Sequence, residues 1–246
     1  MNRLRFALIP VLLLAASTAE AQITRFYAED NNGSEATRAG NVNSLARQTQ
    51  FLSYLIGVGT ETFEAQSGNE PLALIFPGAG AAWLSGIGQV STQGAGTNGT
   101  GRYPISGSNF WETVLTRTGT FTVAFNQKVA AFGFYAIDLG DFGSNLTLEF
   151  RNEGTLIDTW TPYNTSFTGN CPNPYCGSIK YVGTINTATF DEVKFIGSDA
   201  DDYFAFDDMT VGSLEQVSVP EPASVSLLAV GLAGLVAARR RRQRAD

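Results

Sequence analysis

Between Thr60 and Gly212 the chain is cut into about ten short apolar or alternating runs, separated by Gly, Asn, Pro and Ser. This feature most restricts the fold. In GTFTVAFNQ, Phe121, Val123 and Phe125 fall on one side, with Thr120, Thr122 and Ala124 on the other. Leu146, Leu148 and Phe150 repeat the pattern in NLTLEF. A period of two belongs to strands with one face buried. VAAFGFYAIDLG is apolar throughout and reads as a central strand covered on both sides. So many short strands at near-regular spacing, rich in Val, Thr, Phe and Tyr, predict an antiparallel β-sandwich, a jelly roll, over 60–215. The linker QGAGTNGTG at 93–101 is a loop by composition.

Ahead of the strands, 22–42 is polar and turn-rich and reads as an irregular lead-in within 22–59. Leu45, Gln48, Leu52, Leu55 and Ile56 then recur at helical spacing, flanked by Ala46 and Phe51. The expectation is one helix over about 43–56, capped by Asn43 or Ser44 and ended by Gly57.

The chain contains no histidine. That removes Ser-His-Asp and Cys-His chemistry and His-ligated metals together. Any hydrolysis would rest on carboxylates, and Asp138 and Asp141 in YAIDLGDFG are the pair to consider, as in a glycosidase. The competing reading of that stretch is a turn held by Asx-type hydrogen bonds. The expectation is a protein that is not an enzyme, with no catalytic residue.

The two ends read as signals rather than structure. Arg3 and Arg5 precede an apolar stretch, Phe6 to Ala16, and Ala19-Glu20-Ala21 fits a small-x-small cleavage site. Residues 1–21 therefore read as a secretory signal peptide. In an exported chain, Cys171 and Cys176 in NCPNPYCG read as a local disulfide, with a stabilisation on the order of 2 kcal/mol for so small a loop. A zinc site would need more ligands than the chain offers, and a redox motif would have two intervening residues. Setting both ends aside leaves 9 Lys and Arg against 20 Asp and Glu over 22–219, a formal charge of −11 where the whole chain carries −7. So acidic a domain repels phosphate backbones, which argues against nucleic acid as a partner, and attracts cations.

Residues 216–246 form the second signal. Val219-Pro220-Glu221-Pro222 is followed by an apolar run, 223–238, that predicts a transmembrane helix, and then by Arg239, Arg240, Arg241, Arg242 and Arg244 as a cytoplasmic stop. The three parts in this order resemble the PEP-CTERM sorting signal. The resemblance implies export through the inner membrane of a Gram-negative bacterium and transient anchoring. It further implies processing by an exosortase near Pro-Glu-Pro, with release to the cell surface or extracellular matrix. Such proteins are associated with exopolysaccharide and biofilm.

A second resemblance lies in the domain itself. Phe63-Glu64 leading to Gly68, and the last strand FDDMTVG, resemble jelly-roll modules of the carbohydrate-binding and MAM-like kind. The resemblance implies a structural calcium ion held by Glu64 and Asp208, with Asp207 turned the opposite way by strand alternation. The acidic turn at Asp199, Asp201 and Asp202 adds to the negative charge nearby. Sugar-binding faces stack apolar ring faces on aromatic platforms. Among Trp83, Tyr103, Trp111, Trp160, Tyr163 and Tyr175, the polar setting TWTPYNTS favours Trp160 and Tyr163. The whole reading is a structural or adhesive surface protein that binds exopolysaccharide.

Overall fold

Two long strands, Phe121–Ile137 and Ile179–Gly197, organise the molecule by running through both layers of a sandwich. The computed structural model describes residues 21–30, 40–115, 121–140, 145–163, 178–197 and 202–218, with Gly231, Leu232 and Gly234. In chain order the elements are β1 (Ile23–Asp30), α1 (Val42–Leu52), β2 (Thr60–Glu61), β3 (Leu72–Phe76), β4 (Gly80–Gly86) and β5 (Gln89–Thr92). Then follow β6 (Asn109–Leu115), β7 (Phe121–Ile137), β8 (Leu146–Asn152), β9 (Thr155–Tyr163), β10 (Ile179–Gly197) and β11 (Asp202–Gly212). All the pairings are antiparallel. Among the described residues of 21–218 the fold is thus mainly β with one α-helix, the β content being what the alternating runs predict.

The first sheet runs β5-β6-β11-β7-β10-β1, using Ala131–Ile137 of β7 and Ile179–Asn186 of β10. The second runs β3-β4-β7-β10-β8-β9, using Phe121–Phe125 of β7 and Glu192–Gly197 of β10. Each long strand fuses two of the runs expected to be separate. β7 turns the corner at its exposed Asn126–Lys128, and β10 at a register shift around Thr189, whose φ is +49°. Bulges of this kind let a strand leave one sheet for the other.

Between the sheets lies a phenylalanine-rich core. Phe121 of the second sheet stacks on its cross-strand partner Phe195 at 4.1 Å, and Phe195 meets Phe206 of the first sheet edge-on at 5.1 Å. Phe134 of the first sheet lies 5.3 Å from Phe195. A second core covers the outer face of the first sheet, where Phe26, Phe51, Tyr135, Ile137 and Tyr181 meet. The Val129–Ile137 half of β7 is therefore buried on both faces, as its unbroken apolar run requires.

Three expectations are corrected here. The lead-in is not irregular throughout, because Ile23–Asp30 pairs residue for residue with Ile179–Asn186. The helix spans Val42–Leu52 rather than 43–56, since Leu55 bridges to Val217 and the Ile56 amide donates to the Gln216 carbonyl instead of continuing the helix. Its cap is neither Asn43 nor Ser44. The Asp30 carboxylate, at the end of β1, accepts both of their amides, at 3.0 and 2.7 Å. A carboxylate there meets the positive end of the helix dipole. The sheet-facing stripe is correspondingly turned to buried Ser44 and Phe51 and half-buried Gln48, leaving Leu45 exposed.

The signal peptide, Asp141, Asp199, Asp201, Tyr175, Cys171, Cys176, Pro220, Glu221, Pro222, Arg239–Arg242 and Arg244 lie outside the described residues. So does most of 223–238. No helix among the described residues is long and apolar enough to cross a membrane.

Candidate functional site

The loop from Gln93 to Ser108 crosses the outer face of the first sheet, and three carboxylates fasten it. Asp207 accepts the amides of Ile105 and Ser106 at 2.7 and 3.1 Å. Asp208 accepts the Ser106 hydroxyl at 2.6 Å. Glu64 accepts the amides of Ser108 and Asn109 at 2.8 and 2.6 Å. Thus fixed, the loop drops Tyr103 and Ile105 into the outer core. It also leaves an open groove of about 410 Å³ between itself and the β5 edge. Asn69, Gln89, Arg102, Glu112 and Tyr203 line that groove.

Arg102 organises the groove. Its Nε lies 2.5 Å from Glu112 Oε1, its Nη1 lies 3.5 Å from Asp138 Oδ2, and its guanidinium stands 5.5 Å from the Tyr203 ring centre. Glu112 also accepts the Ser91 hydroxyl at 2.7 Å and the Asn98 amide at 3.1 Å. Burial works to raise the Glu112 pKa, but the Ser91 hydrogen bond and the Arg102 charge outweigh it and hold the carboxyl below its usual value. A lowered folded-state pKa means that this contact's stabilisation is present above the ordinary glutamate value of about 4.3 and is lost as pH falls through the lowered one. The Tyr203 side chain is 50% exposed. It projects outward because its β11 neighbours Phe204 and Phe206 take the inward positions. The result is an aromatic surface beside rigidly held donors and acceptors.

Glu64 and Asp208 do come to the same loop, from opposite ends of the domain. Asp207 does not point away. A register shift between Asp207 and Thr210, with Asp208 at φ +51°, turns both carboxylates onto Ser106. Burial and then the Asp208 charge push the Asp207 pKa well up, against amide donors from Ser106, Asp208 and Ile105. Burial, and to a lesser degree the Glu64 charge, raise Asp208 against the Ser106 hydrogen bond. Carboxylate and hydroxyl oxygens are the donors a hard cation takes. Among the described residues no three His, Cys, Asp or Glu side chains converge as metal ligands. A calcium ion held by Glu64 and Asp208 would need carbonyl or water oxygens to complete its shell.

Asp138 is 2% exposed, at φ +68°, beneath Arg102 and against Gly101, where any Cβ would fall 2.4 Å from its Oδ1. Trp160 sits half-buried on β9 with the Arg25 guanidinium 4.6 Å from its ring centre. Arg25 is in turn paired with Asp158. Tyr163 closes β9 opposite Leu146, and its side chain lies outside the described residues. Trp111 and Tyr103 are core, whereas Trp83 is exposed. Sequence reasoning missed Arg102, Glu112 and Tyr203. The alternation in YFAF carried a signal for Tyr203, since two phenylalanines on one side leave the tyrosine on the other.

No curated protein matches the chain. Among solved structures, the K2 cleaved adhesin domain of Lys-gingipain is similar at 14% identity and a TM-score of 0.39, covering 63% of this chain and 97% of that one. The C-terminal family 22 carbohydrate binding module of Clostridium thermocellum Xyn10B is similar at 15% identity and a TM-score of 0.36, covering 65% and 97%. TmCBM61, solved with β-1,4-galactotriose, is similar at 15% identity and a TM-score of 0.32, with the same coverage. The firmest match is in the tail: over residues 218–242 the chain carries the PEP-CTERM protein-sorting motif, the mark of an exported protein held transiently by its C-terminus, processed by an exosortase and sorted to the surface.

Proposed function

We propose that this is a non-enzymatic surface or matrix protein of a Gram-negative bacterium that binds exopolysaccharide, with a structural or adhesive role. The observation that carries the reading is the groove. A sugar offers an apolar ring face ringed by hydroxyls. Tyr203 supplies a flat apolar surface, and the Arg102–Glu112 pair, Asn69 and Gln89 supply donors and acceptors around it. The carboxylates nearby favour binding over hydrolysis. A glycosidase needs one carboxyl kept protonated as an acid. Here Glu112 is held ionised by Arg102 and Ser91, and Asp138, 2% exposed beneath Arg102 and Gly101, is covered from a ligand in the groove.

The test is binding of the purified protein to an array of bacterial polysaccharide fragments. Tyr203→Ala is expected to weaken binding at least about tenfold, a loss of roughly 1.4 kcal/mol, while its exposed position leaves the melting temperature unchanged. Reducing ends released from a bound polysaccharide, and lost in Asp138→Asn, would overturn the non-enzymatic reading.

Calcium at Glu64 and Asp208 is part of the same proposal, supported by two carboxylates brought to one loop, Asp208 accepting the Ser106 hydroxyl and Glu64 the Ser108 hydroxyl. A chelator is expected to lower the melting temperature of the wild type but not of Asp208→Ala. An ion at a hundred times its Kd stabilises by about 2.7 kcal/mol. No response to chelator in the wild type would remove calcium from the account.

A further inference from the structure

The outer face of the second sheet carries a feature that the groove does not explain. On β4, Ala82 and Leu84 enter the core, which turns Ala81, Trp83 and Ser85 outward. Trp83 is 57% exposed. Its register partners are Ala73 on β3 and Ala124 on β7. Neither has a side chain larger than a methyl group, so the indole stands over its neighbours rather than packing between them. Ile75, 61% exposed, adds an apolar shoulder opposite Ala81.

Beyond the indole the same row becomes polar. Ala124 pairs with Glu192, and Glu192 with Arg151. The adjoining row reads Ser85, Thr122, Lys194 and Glu149. Arg151 holds Glu149 at 2.6 Å and reaches Glu192 at 3.9 Å. With strands about 4.8 Å apart, Glu192 stands roughly 10 Å and Arg151 roughly 14 Å from the Trp83 position. A polymer lying across the strands meets one aromatic platform and then a strip of hydroxyl, carboxylate and guanidinium groups. That chemistry suits a polysaccharide: one ring stacks, and hydroxyls along the chain find donors and acceptors. It suits a protein partner less. A stable protein interface covers about 800 Å² per side around an apolar centre, and here one Trp and one Ile stand among alanines, hydroxyls and charges.

The groove lies on the outer face of the first sheet and Trp83 on the outer face of the second, so the two sites point away from each other across the sandwich. We propose that Trp83 is the centre of a second polysaccharide-binding surface, and that the two faces together let one molecule cross-link two polysaccharide chains. The cross-linking rests on the glycan-binding reading of the groove; the Trp83 surface does not.

The experiment uses the purified protein and four soluble high-mass polysaccharides: a β-glucan, a galactan, a mannan and an acidic heteropolysaccharide. Retardation in a polysaccharide-containing native gel reads binding, and light scattering of the mixture reads cross-linking. The wild type is expected to show both with at least one of the four. Trp83→Ala is expected to keep retardation through the groove and to lose at least tenfold in scattering. Tyr203→Ala should keep retardation through the other face with the same loss of scattering. The double variant should lose both. Undiminished retardation and scattering in Trp83→Ala would overturn the second surface. If Trp83→Ala abolishes retardation while Tyr203→Ala leaves it intact, the groove reading falls and the Trp83 surface stands. If Trp83→Ala changes only the sedimentation of the protein alone, the occupant is a second copy of the chain and the proposal is overturned. If the wild type binds none of the four, both readings fall.

Discussion

Replacing Phe51 by alanine is expected to cost about 3–5 kcal/mol, the range for removing a fully buried phenylalanine. For a domain of this size that lowers the melting temperature by about 10 °C. The reason is local. The Phe51 ring lies edge-on to Phe26 at 5.4 Å and tilted against Tyr181 at 6.0 Å. Beneath it, Gly133 and Gly183 are register partners on β7 and β10, and a Cβ on either would press on the ring, at 2.9 Å from Gly133 and 3.1 Å from Gly183. The two glycines make a slot that the Phe51 ring fills, fastening the C-terminal end of the helix to the sheet. Gly133→Ala should therefore destabilise too, by about 1–3 kcal/mol, through overpacking rather than a void. Thermal melts of both variants check this. A cost under 1 kcal/mol for Phe51→Ala would mean that the helix is not fastened by this ring.

Lys180→Met is expected to cost a further, independent 3–5 kcal/mol or so, because it removes one partner from a buried charge group. Lys180 is 0% exposed, with Nζ 2.8 Å from the Ser178 hydroxyl and 3.3 Å from Glu29 Oε1. Burial lowers its pKa, while the charges of Glu29, Asp202 and Asp138 oppose that. Asp202 is fully buried and accepts the Gly140 amide at 2.7 Å. Without the ammonium group Glu29 loses its ion-pair partner and Asp202 a compensating charge. Adding Asp202→Asn to Lys180→Met should recover part of the loss. Denaturant titration of the single and double variants measures both, and a double variant no more stable than the single one would place the cost in packing instead of charge.

What could be read from sequence followed the range of the interactions involved. The strands were legible because alternation is local: Phe121, Val123 and Phe125 declare a buried face without knowing what covers it. The unbroken run Val129–Ile137 announced a strand covered on both sides. β1 was not legible, since Arg25, Glu29 and Asp30 make it look like a loop. Their partners, Asp158, Lys180 and the helix amides, lie far away in sequence or across an unpatterned stretch. The fusion of two runs into β7, and of two into β10, was hidden for the same reason. A strand that changes sheets looks like two strands to any local reading. At the candidate site, Glu64 and Asp208 could be paired only through a family resemblance. The reorientation of Asp207 depends on one bulge that alternation cannot foresee. Arg102 sits just past a glycine-rich linker, and nothing there says that three carboxylates will pin the linker over the sheet.

The way the described chain leaves the fold sets a reach. Val217 bridges to Leu55, and the Ser218 amide donates to the Tyr54 carbonyl at 2.7 Å, beside the end of α1. Pro220 follows two residues later, so it stands at most about 7 Å from this last fastening. A protease that cut near Pro220, as the proposed processing has it, would have to approach almost to the surface of the folded domain. A chain cut there would keep at most a few residues beyond Ser218, whose amide is fastened beside the end of the helix that Phe51 locks in place.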